Sequence, residues 1–275
     1  MKIAIAGKGG AGKSFIAANL SKIYAGHETG QPERVFTERT HATGQVYALD
    51  ADPCGGLGAA LGLSQNEIDS VKPIADMREF IEPGKDDGAL YMSDADISSV
   101  DGRFSALADG VNFLRMAQIK QAGEDCYCRE HGFLQALINS MLLGVNDVLI
   151  LDMSAGIEPL IRGTVKGADI LLIVSEATRA CIETSKVIRS LGRDLGIRHS
   201  YIVANKIRSE KEELLIRASF HRGELAGLIR MSEAVAEQAI GIGSDRGPLP
   251  FKVLAEIEEI FHNLQTLKIK FNNQK

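Results

Sequence analysis

The residues able to do chemistry fall in a few short stretches of the chain. The first is a glycine-rich run, G-K-G-G-A-G-K-S from Gly7 to Ser14, set between the apolar stretch Ile3–Ala6 and the helical pattern FIAANLSKIYA. Glycines at this spacing let backbone N–H groups close around phosphate oxygens, with Lys13 placed for the β- and γ-phosphates and the Ser14 hydroxyl for Mg2+. The dipole of the following helix adds favourable potential for an anion. Gly7, Gly9, Gly10, Ala11, Gly12, Lys13, Ser14 and Phe15 are therefore expected to hold a nucleotide. A second lysine, Lys8, stands too early in the run to grip that nucleotide in the usual way.

Carboxylates arrive at the ends of two further apolar stretches. Val46–Leu49 runs into D-A-D-P, where Asp50 and Asp52 share one face because extended side chains alternate with period two. Phosphoryl transfer to water is mostly positioning and charge stabilisation, so Asp52 is expected to orient the attacking water and Asp50 to serve the Mg2+ shell. The stretch VLIL delivers Asp152, a third acidic residue, ahead of M-S-A-G, and it fits a role on Mg2+ together with Ser14. Base choice is read from Asn205-Lys206-Ile207-Arg208. A guanine-reading site needs a carboxylate where Arg208 stands, and an arginine can only donate. ATP is the expected nucleotide, with Asn205 near the adenine.

Cys126 and Cys128 lie in the polar stretch AGEDCYCREHG, ahead of the helical pattern FLQALINSMLL. In an extended segment these thiols face the same way about 6.6 Å apart, a spacing that suits two thiolates on one ion better than a disulfide. The following helix N-terminus would lower their pKa values. Two thiolates are half of the four ligands that Zn2+ or a similar ion takes. His131 offers a further ligand or a surface cap, Cys54 a third thiolate or filler, and Cys181, inside a helical pattern, reads as a small buried hydrophobe. His27 and His41 fall in an exposed insert, as metal-collecting residues or as incidental histidines of a solvated loop.

These residues need a frame that brings strand ends together. Apolar runs at Ile3–Ala6, Val46–Leu49, Val111–Met116, Val148–Leu151, Ile170–Val174 and Tyr201–Ala204 alternate with amphipathic helical patterns. Near-continuous apolar strands belong to a parallel sheet covered on both faces, so the expected fold is α/β, doubly wound and mostly parallel, with helices on both faces, as in P-loop NTPases. Residues 1–275 read as a single domain with an exposed insert at about 26–45 and a polar region, about 64–110, of short helices over one sheet edge. In the C-terminal stretch, Val253, Ile257, Phe261 and Leu264 recur at helical spacing, and Glu256, Glu258 and Glu259 argue against a membrane-binding surface.

A net charge of −5 without blocks of like charge speaks against nucleic-acid binding. With no signal peptide and no apolar run of membrane-spanning length, the expectation is a cytoplasmic protein. There, four cysteines among 275 residues favour metal or redox work over a disulfide framework.

The run with Lys8 and Lys13 resembles the deviant Walker A ATPases, the MinD/ParA/nitrogenase-iron-protein group. That resemblance implies a nucleotide-sandwich homodimer in which Lys8 reaches the partner's nucleotide, with Lys8, Lys13 and Asp52 as the catalytic set. Taken with the DADP stretch, the Cys126/Cys128 pair and D-M-S-A-G-I-E-P-L-I-R-G-T from Asp152 to Thr164, the chain is similar to CooC-type ATPases, which support nickel insertion into carbon monoxide dehydrogenase. The resemblance implies ATP hydrolysis as a conformational switch and a carbon-monoxide-processing client enzyme. A dimer would bring two Cys126/Cys128 pairs together as one four-thiolate site for Ni2+ or Zn2+ on the two-fold axis. The alternatives are an ATP-gated iron–sulfur carrier or electron-transfer protein, and a MinD/ParA-like positioning ATPase.

Overall fold

The structure is a computed structural model that describes residues 1–26, 44–52, 55–74, 81–83, 90–92, 102–116, 146–161, 163–239 and 248–272. Cys54, Cys126, Cys128, His131, His27 and His41 lie outside the described residues, as does all of the 26–45 insert except its ends.

The six expected strands form, each within a few residues of its expected bounds. They are β1 (Lys2–Gly7), β2 (Val46–Ala51), β6 (Val111–Arg115), β7 (Val148–Met153), β8 (Ile170–Ser175) and β9 (His199–Ile207). To these the fold adds β5 (Ala106–Ala108), β10 (Leu225–Arg230) and a separate two-stranded antiparallel pair, β3 (Ile81–Pro83) with β4 (Leu90–Met92). The main sheet runs β10-β9-β8-β1-β7-β2-β6-β5, and only β5 is antiparallel to its neighbour. In β10, LAGLIR, Gly227 interrupts the apolar run that marks the other strands. The glycine is there for packing, since a β-carbon on it would collide with Ile260.

Parallel strands need crossovers, and helices on both faces supply them. The helices of the described residues are α1 (Lys13–Tyr24), α2 (Leu57–Leu61), α3 (Gln65–Ser70), α4 (Glu158–Ile161), α5 (Arg179–Asp194) and α6 (Glu210–Ser219), and, after the last strand, α7 (Glu233–Ala239) and α8 (Phe251–Asn272). Alternating side chains send Ala4, Leu49, Leu149, Leu151, Leu171 and Ile173 into one core, and Ile3, Ile5, Ala48, Ile150, Leu172 and Val174 into the other. Each fully buried Val, Leu or Ile stabilises the fold by about 1.5–3 kcal/mol, so a sheet apolar on both faces cannot stay uncovered.

The C-terminal helix α8 packs on the sheet. Val253, Ile257, Ile260 and Leu264 are buried, and the Phe261 ring meets Tyr24 edge-on at 4.8 Å. Glu256 is buried and binds Arg230 at the end of β10, accepting from its backbone N–H at 2.8 Å and its guanidinium at 3.0 Å. Cys181 is a free, buried thiol on α5. Among the described residues no helix is long and apolar enough to cross a membrane.

Candidate nucleotide site

β1 lies in the middle of the sheet, between β7 and β8, so the loop after it opens where the C-terminal ends of several strands converge. The backbone of that loop turns through left-handed conformations at Gly10 (φ 77°) and Gly12 (φ 98°), and α1 begins at Lys13. Lys13 is buried, whereas Lys8, Gly9 and Gly10 are exposed at the mouth of the loop. The loop is held from below as well. Gly7 accepts a hydrogen bond from the Gly156 N–H at 3.1 Å, which joins the phosphate loop to the segment after β7.

The register β1–β7–β2 aligns Ile5 with Asp152 and Asp152 with Asp50. Both carboxylates are buried, but they are used differently. Asp50 accepts from three backbone N–H groups, those of Asp52 at 3.1 Å, Gly56 at 3.0 Å and Leu57 at 3.1 Å. It therefore shapes the D-A-D-P turn and the start of α2, and it brings Gly56 against Ser14. Burial pushes its pKa up, and those backbone donors partly offset the rise.

Neither oxygen of Asp152, which is 1% exposed, closes a hydrogen bond of good geometry among the described residues. Burial pushes its pKa up to about 7; the nearby Ser14 hydroxyl and Lys13 ammonium pull it down, while Asp50 and Asp52 push it further up. A buried carboxylate without partners costs several kcal/mol by general experience, on the order of what a cation would relieve. Asp152 and Ser14 thus present an oxygen-donor pair that fits a hard cation such as Mg2+. Asp52 lies at the end of β2, partly exposed, with its carbonyl accepting from Gly55 at 2.9 Å.

Asn205, at the C-terminal end of β9, is buried beneath the loop. Its Nδ2 donates to the Ala11 carbonyl at 2.8 Å and its Oδ1 accepts from the Lys206 backbone N–H at 2.9 Å. Each end of the amide makes one bond to backbone. The structure sets Asn205 against the phosphate loop. Two groups that the sequence reading left without a role complete this contact. Lys206 Nζ donates to the Gly10 carbonyl at 2.5 Å and to Glu176 Oε1 at 2.9 Å. The sequence signal for Glu176 was an acidic residue directly after an apolar strand, ILLIVS, the same signal that singled out Asp152.

Of the expected set, Gly7 to Phe15, Asp50, Asp52, Asp152 and Asn205 converge on one sheet edge. Cys126 and Cys128 lie outside the described residues, among which no cluster of three or more metal-ligating side chains occurs.

The chain is 31% identical over 245 residues to the carbon monoxide dehydrogenase accessory protein CooC of Rhodospirillum rubrum, covering 87% of this chain and 88% of that one. It is also 31% identical over 273 residues to an uncharacterized ATP-binding protein of Methanocaldococcus jannaschii, covering 98% and 99%. Among solved structures, the septum site-determining protein MinD of Pyrococcus horikoshii, complexed with Mg-ADP, superposes with a TM-score of 0.62 at 19% identity, covering 97% and 96%. No protein-family model matches the chain.

Proposed function

The chain belongs to the family of MinD/ParA-like P-loop ATPases that includes CooC, and from that premise we propose that its ATP-driven switch serves metal delivery. The nucleotide-dependent ATPase is given by the family; the cargo and the dimer are the proposal. In this reading ATP joins two copies, and hydrolysis separates them. The paired chains present Cys126 and Cys128 from each copy as a four-thiolate site for Ni2+ or Zn2+. The client is a carbon monoxide dehydrogenase or a related enzyme.

The observation that carries the nucleotide chemistry is the buried Asp152 carboxylate beside the Ser14 hydroxyl and the Lys13 ammonium. These two residues would hold Mg2+, which when bound supplies charge neutralisation on the phosphates. Lys13 binds the β- and γ-phosphates from its buried position at the start of α1. Asp52, at the open end of β2, orients the attacking water and accepts its proton. Asp50 keeps the turn bearing Asp52 in shape through its three backbone hydrogen bonds. Lys8, exposed at the loop mouth, reaches the nucleotide of the second copy, where a cation stabilises charge on the transferring phosphoryl group.

The metal cargo is supported by the similarity to CooC and by the two thiols of C-x-C, which half-fill a tetrahedral site. Titration of the anaerobically reduced protein with Ni2+, with and without ATP, tests it. One nickel per dimer, lost when both Cys126→Ala and Cys128→Ala are introduced, is the expected result. Nickel binding that does not depend on these cysteines would remove metal delivery and leave an ATP-switched protein of another use.

A further inference from the structure

Lys206 is one of two described non-glycine residues with positive φ, at 58°. A lysine there gives up roughly 1 kcal/mol or more relative to glycine, and such strain persists where neighbouring contacts hold it. Those contacts all point to the phosphate loop. The Lys206 ammonium binds the Gly10 carbonyl at 2.5 Å, and Glu176 at the end of β8 holds the same ammonium at 2.9 Å. Next to it, the Asn205 amide binds the Ala11 carbonyl at 2.8 Å. Consecutive carbonyls of the loop, flanked by left-handed Gly10 and Gly12, are thus pulled towards the ends of β8 and β9.

We propose that Lys206, steered by Glu176, is a positioning residue that keeps the phosphate loop in its anion-binding shape and thereby sets how long nucleotide stays bound. In a trans peptide the N–H points away from the C=O. Anchoring the Ala11 carbonyl outward therefore turns the Gly12 N–H to the opposite side, and anchoring the Gly10 carbonyl directs the Ala11 N–H across the loop, where it meets the Lys8 carbonyl at 3.2 Å. The left-handed backbone at Lys206 lets its side chain turn back beneath the loop while β9 continues to Ile207. Glu176 restricts the ammonium to this direction. Lys206 contacts one backbone carbonyl of the loop, that of Gly10, and the Glu176 carboxylate, so its effect falls on nucleotide binding.

The inference rests on the nucleotide occupying this loop, and the test separates the two. Release of a fluorescent N-methylanthraniloyl ADP is followed by stopped flow, with KM and kcat for ATP measured beside it. Wild-type protein that binds no ADP would overturn the nucleotide site itself. Lys206→Met should release ADP about tenfold faster and raise KM by a similar factor with a small change in kcat, because a charge-assisted hydrogen bond is lost from the loop. Lys206→Gly removes the same contact while accepting positive φ freely, so it should fold with unchanged or higher Tm and still release ADP about as fast as Lys206→Met. Lys206→Arg should retain slower release than either. A Lys206→Gly protein that holds ADP as long as wild type would reduce Lys206 to a turn residue and overturn the proposal, as would a loss confined to kcat.

Discussion

Gly12 and Asn205 are fitted to each other: a β-carbon on Gly12 would collide with Asn205 Nδ2, the atom that donates to the Ala11 carbonyl. The glycine is required twice, because its φ of 98° also lies where side chains are strained. Gly12→Ala is expected to weaken ATP binding by at least about tenfold, since strain of about 1–3 kcal/mol adds to the collision. Adding Asn205→Ala removes the collision and leaves the strain, so the double variant should recover part of the loss and no more. Equilibrium binding of ATP to both variants checks this, and wild-type affinity in Gly12→Ala would show that the loop does not hold the nucleotide.

Asp152→Asn separates a cation's need for the carboxylate from the fold's need for it. Removing a buried negative charge that burial and the neighbouring Asp50 and Asp52 disfavour should raise Tm in the absence of metal, by roughly 2–4 °C for each kcal/mol relieved. The same change should cut Mg2+-dependent hydrolysis on the order of a hundredfold. Calorimetry without Mg2+ and steady-state hydrolysis with it give the two readings. Lower stability together with undiminished hydrolysis would place Asp152 in the framework rather than on the metal.

Lys8→Ala should leave ATP binding by a single chain largely intact, because Lys8 is exposed at the mouth of the loop. Hydrolysis and ATP-dependent dimer formation should both be lost, the rate falling by about a thousandfold, as when a cation supplied from a partner is removed. Sedimentation with ATP reads the dimer. Normal turnover by this variant would remove the partner-reaching role.

Asp52→Ala should bind ATP, hydrolyse it about a hundred- to ten-thousandfold more slowly, and accumulate as the ATP-bound dimer. Asp50→Asn, one turn position away, should behave differently. An amide accepts from backbone N–H groups at only one of its two ends, so the three bonds of Asp50 cannot all survive and the turn loosens. A limited-proteolysis site opening near residue 55 in Asp50→Asn but absent in Asp52→Ala would distinguish shaping the turn from acting on water.

The phosphate loop, its flanking strand and helix, and the six near-continuous apolar strands were legible in the linear order because they depend on local pattern. Glycine spacing sets the backbone conformations, and apolar runs declare strands buried on both faces. β10 escaped because Gly227, needed for the close approach of α8, breaks its apolar run. The burial of Glu256 is not legible locally, because a carboxylate on a helix reads as solvated until its partner, Arg230 on β10, is seen across 26 positions. The roles of Asp50 and Asp152 divide in the same way. Both are aspartates ending apolar strands, and nothing local says that one will receive three backbone donors and the other none. The bracing of Gly10 and Ala11 by Lys206 and Asn205 spans almost 200 residues and depends on β9 and β8 lying beside β1. Sequence by itself determined the fold class and the backbone turns of the loop, since spacing and periodicity act through neighbouring residues; only the tertiary structure decided which polar groups are spent on holding that loop, because hydrogen bonds between strand ends are set by strand order.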